Sequence, residues 1–520
     1  MSIELVISKR FSAYSLLLFL MSAFFFIDAQ EAFIKDIYLQ GYDLNLSHVN
    51  NSNDGGFFMS GSLSLSNTNQ KSGLVLKTDS AHNILWSKKL SLDGYDEIAG
   101  CIELPGRGIY FVGSAATSAL SKQDIFYGCM DSLGNLLWSQ RLASFESDSA
   151  AGLVSFMDME ILVYGTTYNA SNSRELHLLK LDIMDNIMWT KTWGAQNEET
   201  AIDLVKTLDM GMAEAMYTNS FTIYGHQSAI AKYDFDGNVI WSKMYESTEP
   251  NRPVAIVETE KGDLFMLGNV GQDIFILKTD PKGYLKWSAR YDTGGEDRAV
   301  DLILTKDSGL IIAAVSKDIN KEKALFFKLN SLDQVVWSKL YYDSLEDVGI
   351  SELISINDTT FLCYGSVRGA ETQIRVLAFN NNAEMSCSTE AVLLNEQMQM
   401  LNEFDMMLMP LFFDSLSVAV PALSDLAILT EDVCGIENSI SPEIYKDENK
   451  MHYEHSFISF EIAEKKALIL ELFDLYGRIM LSKQIRSGER IPIDYASGIY
   501  FACLRDGNAY AKKWKFMHTN

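Results

Sequence analysis

Six tryptophans, Trp86, Trp138, Trp189, Trp241, Trp287 and Trp337, recur at intervals of 52, 51, 52, 46 and 50 residues. A period of this size marks a chain built from repeated supersecondary units, either blades or solenoid turns, and it limits the fold before any local reading begins. Only Trp193 and Trp514 stand outside the register. Each tryptophan closes the same short signature. Asp131-Ser132-Leu133-Gly134-Asn135-Leu136-Leu137-Trp138 is one copy, and Asp234-Phe235-Asp236-Gly237-Asn238-Val239-Ile240-Trp241 is another. The chemistry is that of a tight hairpin: the acid bonds its own backbone and Gly-Asn supplies positive φ. Asp185 and His82 replace the glycine in two copies.

Between signatures the chain reads as short strands separated by Gly and Asn. In the second unit these are 98–104, 108–113, 124–127 and 136–139, rich in β-branched and aromatic residues. Helical spacing is absent. Four strands per unit and seven units predict an all-β, seven-bladed β-propeller over 30–387. The seventh unit has Met385 where its tryptophan belongs, and 33–38 looks like a displaced tryptophan strand with Phe33 in the tryptophan's place. Pairing the two ends would complete the last blade and remove two open edges. Six blades and a separate hairpin is the alternative.

The flanking segments carry addresses. Lys9 and Arg10 precede an apolar run at 14–27, with Ala29 at a cleavage point before Gln30, so 1–29 reads as a secretory signal; an uncleaved N-terminal anchor is the rival. No later apolar stretch is long enough to span a bilayer as a helix. The formal charge is -26, yet from Ile440 onward there are 12 Lys+Arg against 11 Asp+Glu, so the acidity lies in the body. A body of that sign repels phosphate backbones and argues against nucleic-acid binding. Six cysteines show no Cys-x-x-Cys spacing. Cys387 and Cys434 enclose most of 388–437, a β-rich connecting segment, and read equally as a disulfide or as two buried thiols.

The repeats resemble the tandem propeller repeats of secreted Bacteroidetes proteins, a resemblance that implies a surface location and brings no catalytic residue. The last module, 438–520, carries Asp474, Gly477 and Arg478 in a turn, then Gly498 and Tyr500 in a strand, and a final basic strand with Lys512 and Lys513. It resembles the C-terminal sorting domain of the type IX secretion system, without that family's opening Pro-Asn-Pro. The resemblance implies a small immunoglobulin-like β-sandwich read by the type IX machinery, and hence a secreted or cell-surface protein.

Chemistry is harder to find. The seven histidines are scattered, with only His452 and His455 close in sequence, and no nucleophile elbow or phosphate loop occurs. Glu97, Asp148, Glu199, Asp297 and Asp347 recur at the start of the first strand in nearly every unit. They would ring one channel mouth and hold a cation such as Ca2+ or a polyol; alternatively each accepts backbone hydrogen bonds in its turn, which is the simpler use of a repeated acid. No dedicated cofactor motif is present. The Asp-x-x-Gly-x-x-x-Trp signature is also similar to the repeats of quinoprotein dehydrogenases and the Asp-boxes of sialidases, but their adjacent cysteines, arginine triad and nucleophile are not found. The sequence thus points to a non-catalytic propeller that binds a protein or glycan, with a secreted hydrolase or quinoprotein-like oxidoreductase as the alternative.

Overall fold

The computed structural model describes residues 33–65, 68, 70–118, 121–142, 147–156, 160–168, 173–318, 321–343, 346–369, 371–384, 389–411, 416–418, 421–426, 428–434, 450–454, 457–461, 468–474, 479–486, 489–492, 498–506 and 509–518. The chain divides into two compact units, Met1–Ile436 and Glu437–Asn520. The secretory-signal region, Met385 and Cys387 lie outside the described residues. No helix among the described residues is long and apolar enough to cross a membrane.

In the first unit the strands form antiparallel meanders whose innermost members touch in cyclic order, Tyr42–Asn51, Tyr95–Leu104, Ser149–Phe156, Glu199–Lys206, Asn251–Glu258, Glu296–Leu304, Asp347–Ser355 and back to Tyr42–Asn51. This is a β-propeller. Its sheets correct the expectation of seven separate four-stranded blades: there are five separate five-stranded blades and one ten-stranded sheet. The ten-stranded sheet arises where two meanders are zipped at the turn between them. Lys71 pairs in parallel with Tyr95, its N–H donates to the Gly94 carbonyl at 3.0 Å, and its Nζ bonds Glu97.

The fifth strand of each blade comes from the connecting segment. Thr389–Ala391, Asn395–Met398, Asn402–Asp405, Met409–Leu411, Leu416–Val418, Ala422–Asp425 and Leu429–Cys434 pair with the outer strands one meander at a time, in the reverse of chain order. The chain therefore returns around the ring as a belt. These strands begin six or seven residues apart, and seven residues reach at most about 25 Å when extended, enough to run along one edge and step to the next. At each of the first three steps a leucine (Leu394, Leu401 or Leu408) packs into an apolar core cluster. The preceding residue, Leu393, Met400 or Met407, points outward and is 88%, 76% or 73% exposed.

The serine after the repeat tryptophan fastens the belt. Ser87, Ser242, Ser288 and Ser338 donate from Oγ to the carbonyls of Leu426, Met406, Gln399 and Val392 at 2.6, 2.7, 2.5 and 2.5 Å. The same four belt residues return backbone N–H bonds to those serine carbonyls. Covering the outer edges in this way satisfies backbone groups that an open blade would present to another chain.

The tryptophans lock neighbouring meanders. The indole N–H of Trp86 donates to the Ser132 carbonyl at 3.1 Å, and that of Trp337 to Asn381 at 2.8 Å, each in the signature turn of the next unit. Gly237 takes φ +73, and a Cβ there would sit 2.6 Å from Trp189 Cη2, so two constraints demand glycine. Where aspartate replaces glycine, it serves the tryptophan instead: Asp185 accepts from Trp138 at 3.0 Å and Asp333 from Trp287 at 2.7 Å. Trp193, outside the repeat register, donates to the Gly237 carbonyl at 3.1 Å.

At the chain's start, Ile34–Tyr38 lies between Thr372–Asn380 and the last belt strand, so both ends of the unit share one blade. Phe33 faces His82 at 5.3 Å, occupying the place a tryptophan has elsewhere. His82 is buried, stacks on Phe57 at 4.6 Å and bonds Tyr364 Oη at 2.7 Å. Burial and the nearby Lys35 charge hold its pKa down at about 3, against a weaker pull from Asp79, so it packs as a neutral ring.

The second unit contains two antiparallel sheets. One orders Lys450–Glu454, Phe457–Glu461 and Ile491–Pro492; the other orders Ile479–Ile485, Leu468–Asp474, Gly498–Asp506 and Ala509–His518. Leu470, Leu472, Ile485 and Ile491 are buried. Asp474 pairs with Tyr500 and Gly498 with His518, while Lys512 and Lys513 lie opposite Leu504 and Cys503. Gly477 and Arg478 fall outside the described residues.

Candidate functional site

The inner strands share one irregularity. Each carries a register shift at an equivalent place, between Leu46/His48, Ile98/Gly100, Ala150/Gly152, Ala201/Asp203, Pro253/Ala255, Ala299/Asp301 and Ile350/Glu352. A bulge re-aims side chains and leaves a backbone N–H without its ladder partner. The bulged residues and those after them line a central cavity of about 190 Å³. Small residues, Gly100, Gly152 and Ala255, occupy three of the positions after the bulge, and His48, Asp203, Asp301 and Glu352 occupy the other four.

The three acids do the same work. Asp301 accepts from its own strand's Leu302 N–H at 2.7 Å and from Leu353 on the next inner strand at 2.8 Å. Asp203 accepts from Leu204 and from Ile256 on the next strand, both at 2.8 Å. Glu352 accepts from Val49 at 2.5 Å and pairs through its other oxygen with His48 Nδ1 at 2.8 Å. Each carboxylate thus satisfies donors that the bulge orphaned and stitches one meander to its neighbour.

Burial raises the pKa of Asp203 and lifts that of Asp301 well above the carboxylate range, although their backbone hydrogen bonds pull the other way; the Glu352 charge adds to both increases. Burial pulls His48 down, but the charge and hydrogen bond of Glu352, with Asp203 and Asp301 behind it, leave its pKa raised.

The acids expected at a channel mouth stand where the inner strands begin. None of Glu97, Asp148, Glu199, Asp297 and Asp347 lines the central cavity. Glu199 accepts from Ala195 N–H and Thr218 Oγ1 at 2.8 Å each, and Asp297 accepts from Thr293 N–H at 2.6 Å and Oγ1 at 2.8 Å. Asp148 accepts from Thr167 Oγ1 at 2.5 Å, Asp347 from Glu322 N–H at 3.2 Å, and Glu97 from Ser47 Oγ at 2.8 Å. Glu199 and Asp297 hold the turns that lead into their own strands, whereas Asp148, Asp347 and Glu97 accept from other strands of the ring. Asp273, Asp292 and Asp297 bring one oxygen each within 4.8 Å of one another. Those carboxylates already bond Arg290, Gly294 N–H and Thr293, so the trio has the same turn-holding use.

Cys101, Cys129 and Cys363 are free and buried, and burial pushes the first two thiols up to about 12. A Cys387–Cys434 bridge lies outside the described residues. Sequence reasoning missed His48, Asp203, Asp301 and Glu352 because only the strand register aligns them. Their neighbours in sequence differ from unit to unit.

No family model matches the chain, and no curated protein sequence matches it. Solved structures with a similar course include Sqt1 from Chaetomium thermophilum, at 11% identity and TM-score 0.40, covering 66% of this chain and 99% of that one. The polysaccharide lyase Uly1 is similar at 8% identity and TM-score 0.42, covering 64% and 89%. Prolyl oligopeptidase B from Galerina marginata, bound to a 35mer substrate, is similar at 11% and 0.37, covering 68% and 51%. At these scores the propeller assignment rests on the sheets of this chain.

Proposed function

We propose that the protein is an exported, non-catalytic β-propeller that binds a protein or glycan, delivered to the cell surface or beyond by a type IX exporter that reads 438–520. The observation that carries the non-catalytic reading is the use of the channel carboxylates. They sit at repeat-equivalent positions, and both oxygens of Asp203, Asp301 and Glu352 are engaged by backbone N–H groups or by His48. A general acid or nucleophile needs an oxygen turned toward substrate. Symmetric residues that hold strands together suit a scaffold whose irregular parts bind. Support for export comes from the apolar leader and from the ordered Asp474, Gly498, Tyr500 and Lys512 motifs.

The test is a glycan array and a pull-down from surface-exposed proteins, both using the full mature chain. Saturable binding of a glycan or one protein is expected, and efficient turnover of an arrayed sugar would overturn the reading. For export, deleting 438–520 should trap the chain inside a type IX-competent host; unchanged secretion would sink that part.

A further inference from the structure

One end of the inner strands carries exposed cations in an otherwise acidic protein. Arg252 and Arg298 occupy the same register position on neighbouring inner strands, each immediately before the residue that precedes the bulge. Both are exposed, and the side chain of Arg298 makes no hydrogen bond or ion pair among the described residues. Arg252 meets His226 Nδ1 at 3.2 Å and lies 5.0 Å from the centre of the Tyr217 ring. Arg174 donates to the hydroxyl of the same ring at 3.2 Å. Beside His226, the loop through Phe221 and Tyr224 exposes both rings, at 47% and 40%.

Resting on the binding reading above, we propose that this mouth of the channel, at Arg252, Arg298 and Tyr217, binds an acidic carbohydrate, a sugar chain bearing carboxylates. Guanidinium forks match carboxylates in a planar, two-point geometry, and a protein of formal charge -26 leaves few such groups unpaired. Exposed aromatic faces suit the C–H face of a sugar ring, as they suit other amphipathic ligands. An acidic peptide offers carboxylates without the apolar C–H face that these aromatic rings would cover.

The experiment is calorimetric titration of the full mature chain with a hexamer of galacturonic acid, the matching neutral galactose hexamer and a hexaglutamate peptide. The acidic hexamer should bind at least about tenfold tighter than the neutral one, and raising salt should weaken it. The exposed substitutions Arg252→Gln and Arg298→Gln together should cost about a further tenfold, with the thermal midpoint unchanged. Equal binding of the neutral hexamer, stronger binding of the peptide, no binding of any probe, or indifference to the double substitution would each overturn the inference. If another glycan or protein binds the chain and ignores the arginine variants, the broader function stands and this site falls.

Discussion

Replacing Gly237 by alanine tests how the repeat holds itself together. Gly237 takes φ +73, and Gly106, in an open turn, takes φ +72 with nothing within 4 Å of a built Cβ. The two sites therefore share a positive φ and differ in surroundings, above all in the Trp189 ring that would lie 2.6 Å from the new methyl at 237. Placing an L-residue in this left-handed region costs roughly 1–2 kcal/mol, the whole expected effect of Gly106→Ala. Forcing the methyl against Trp189 adds about 1–3 kcal/mol of overpacking, so Gly237→Ala should cost roughly 2–5 kcal/mol. Urea unfolding of the full chain followed by tryptophan fluorescence would read both. In a Trp189→Ala background the excess at 237 should vanish, because the cycle removes the contact and leaves the backbone term. If the two glycine substitutions cost the same in the wild-type chain, the wedge between turn and tryptophan is not what joins these meanders.

Four further outcomes follow from the same structure. Arg375 is 2% exposed and forks onto Asp36 with two 2.7 Å bonds while reaching Asp343 at 2.7 Å, so Arg375→Gln should strand buried charge and cost about 3–5 kcal/mol in a thermal melt. Glu214, bonded by Tyr233 Oη at 2.6 Å, is lifted from 4.5 to about 8 by burial and the Asp203 charge, against the Tyr233 bond. Its contribution is present below its unfolded pKa of 4.5 and lost as pH rises toward 8, so Glu214→Gln should flatten the fall in melting temperature across that window. His82 acts in the opposite direction: with its pKa held near 3, its contribution is present above 6.5 and lost as pH falls, and His82→Asn should flatten the acid side. Removing the belt latches with Ser242→Ala and Ser338→Ala should cost about 1 kcal/mol each and speed hydrogen exchange at 389–411, whereas unchanged exchange would show that these hydroxyls do not hold the belt.

The propeller class was legible in the tryptophan spacing because that period reports a contact made once per meander. The turn chemistry was legible too, since Asp131 and Gly134 act within a few residues of each other. The belt was not. Its step of six or seven residues reflects the distance between blade edges, a property of the assembled ring, and Met398 or Phe404 reads locally as an ordinary alternating strand. The joining of two meanders at Lys71 and Tyr95 was equally hidden, because a single pair merges their sheets. Channel residues escaped notice for a related reason. His48, Asp203, Asp301 and Glu352 become equivalent only through bulges, whereas Glu199 and Asp297 repeat visibly because they serve local turns.

The central claim is that this ring binds and does not turn over its ligand. The direct measurement is product release from acidic and neutral sugar chains by the full mature protein, alongside Asp301→Asn and Glu352→Gln. The account predicts no release above background for any of the three chains, with both substitutions registering as losses of stability. Release by the wild-type chain that either substitution abolishes, while the fold is retained, would contradict it.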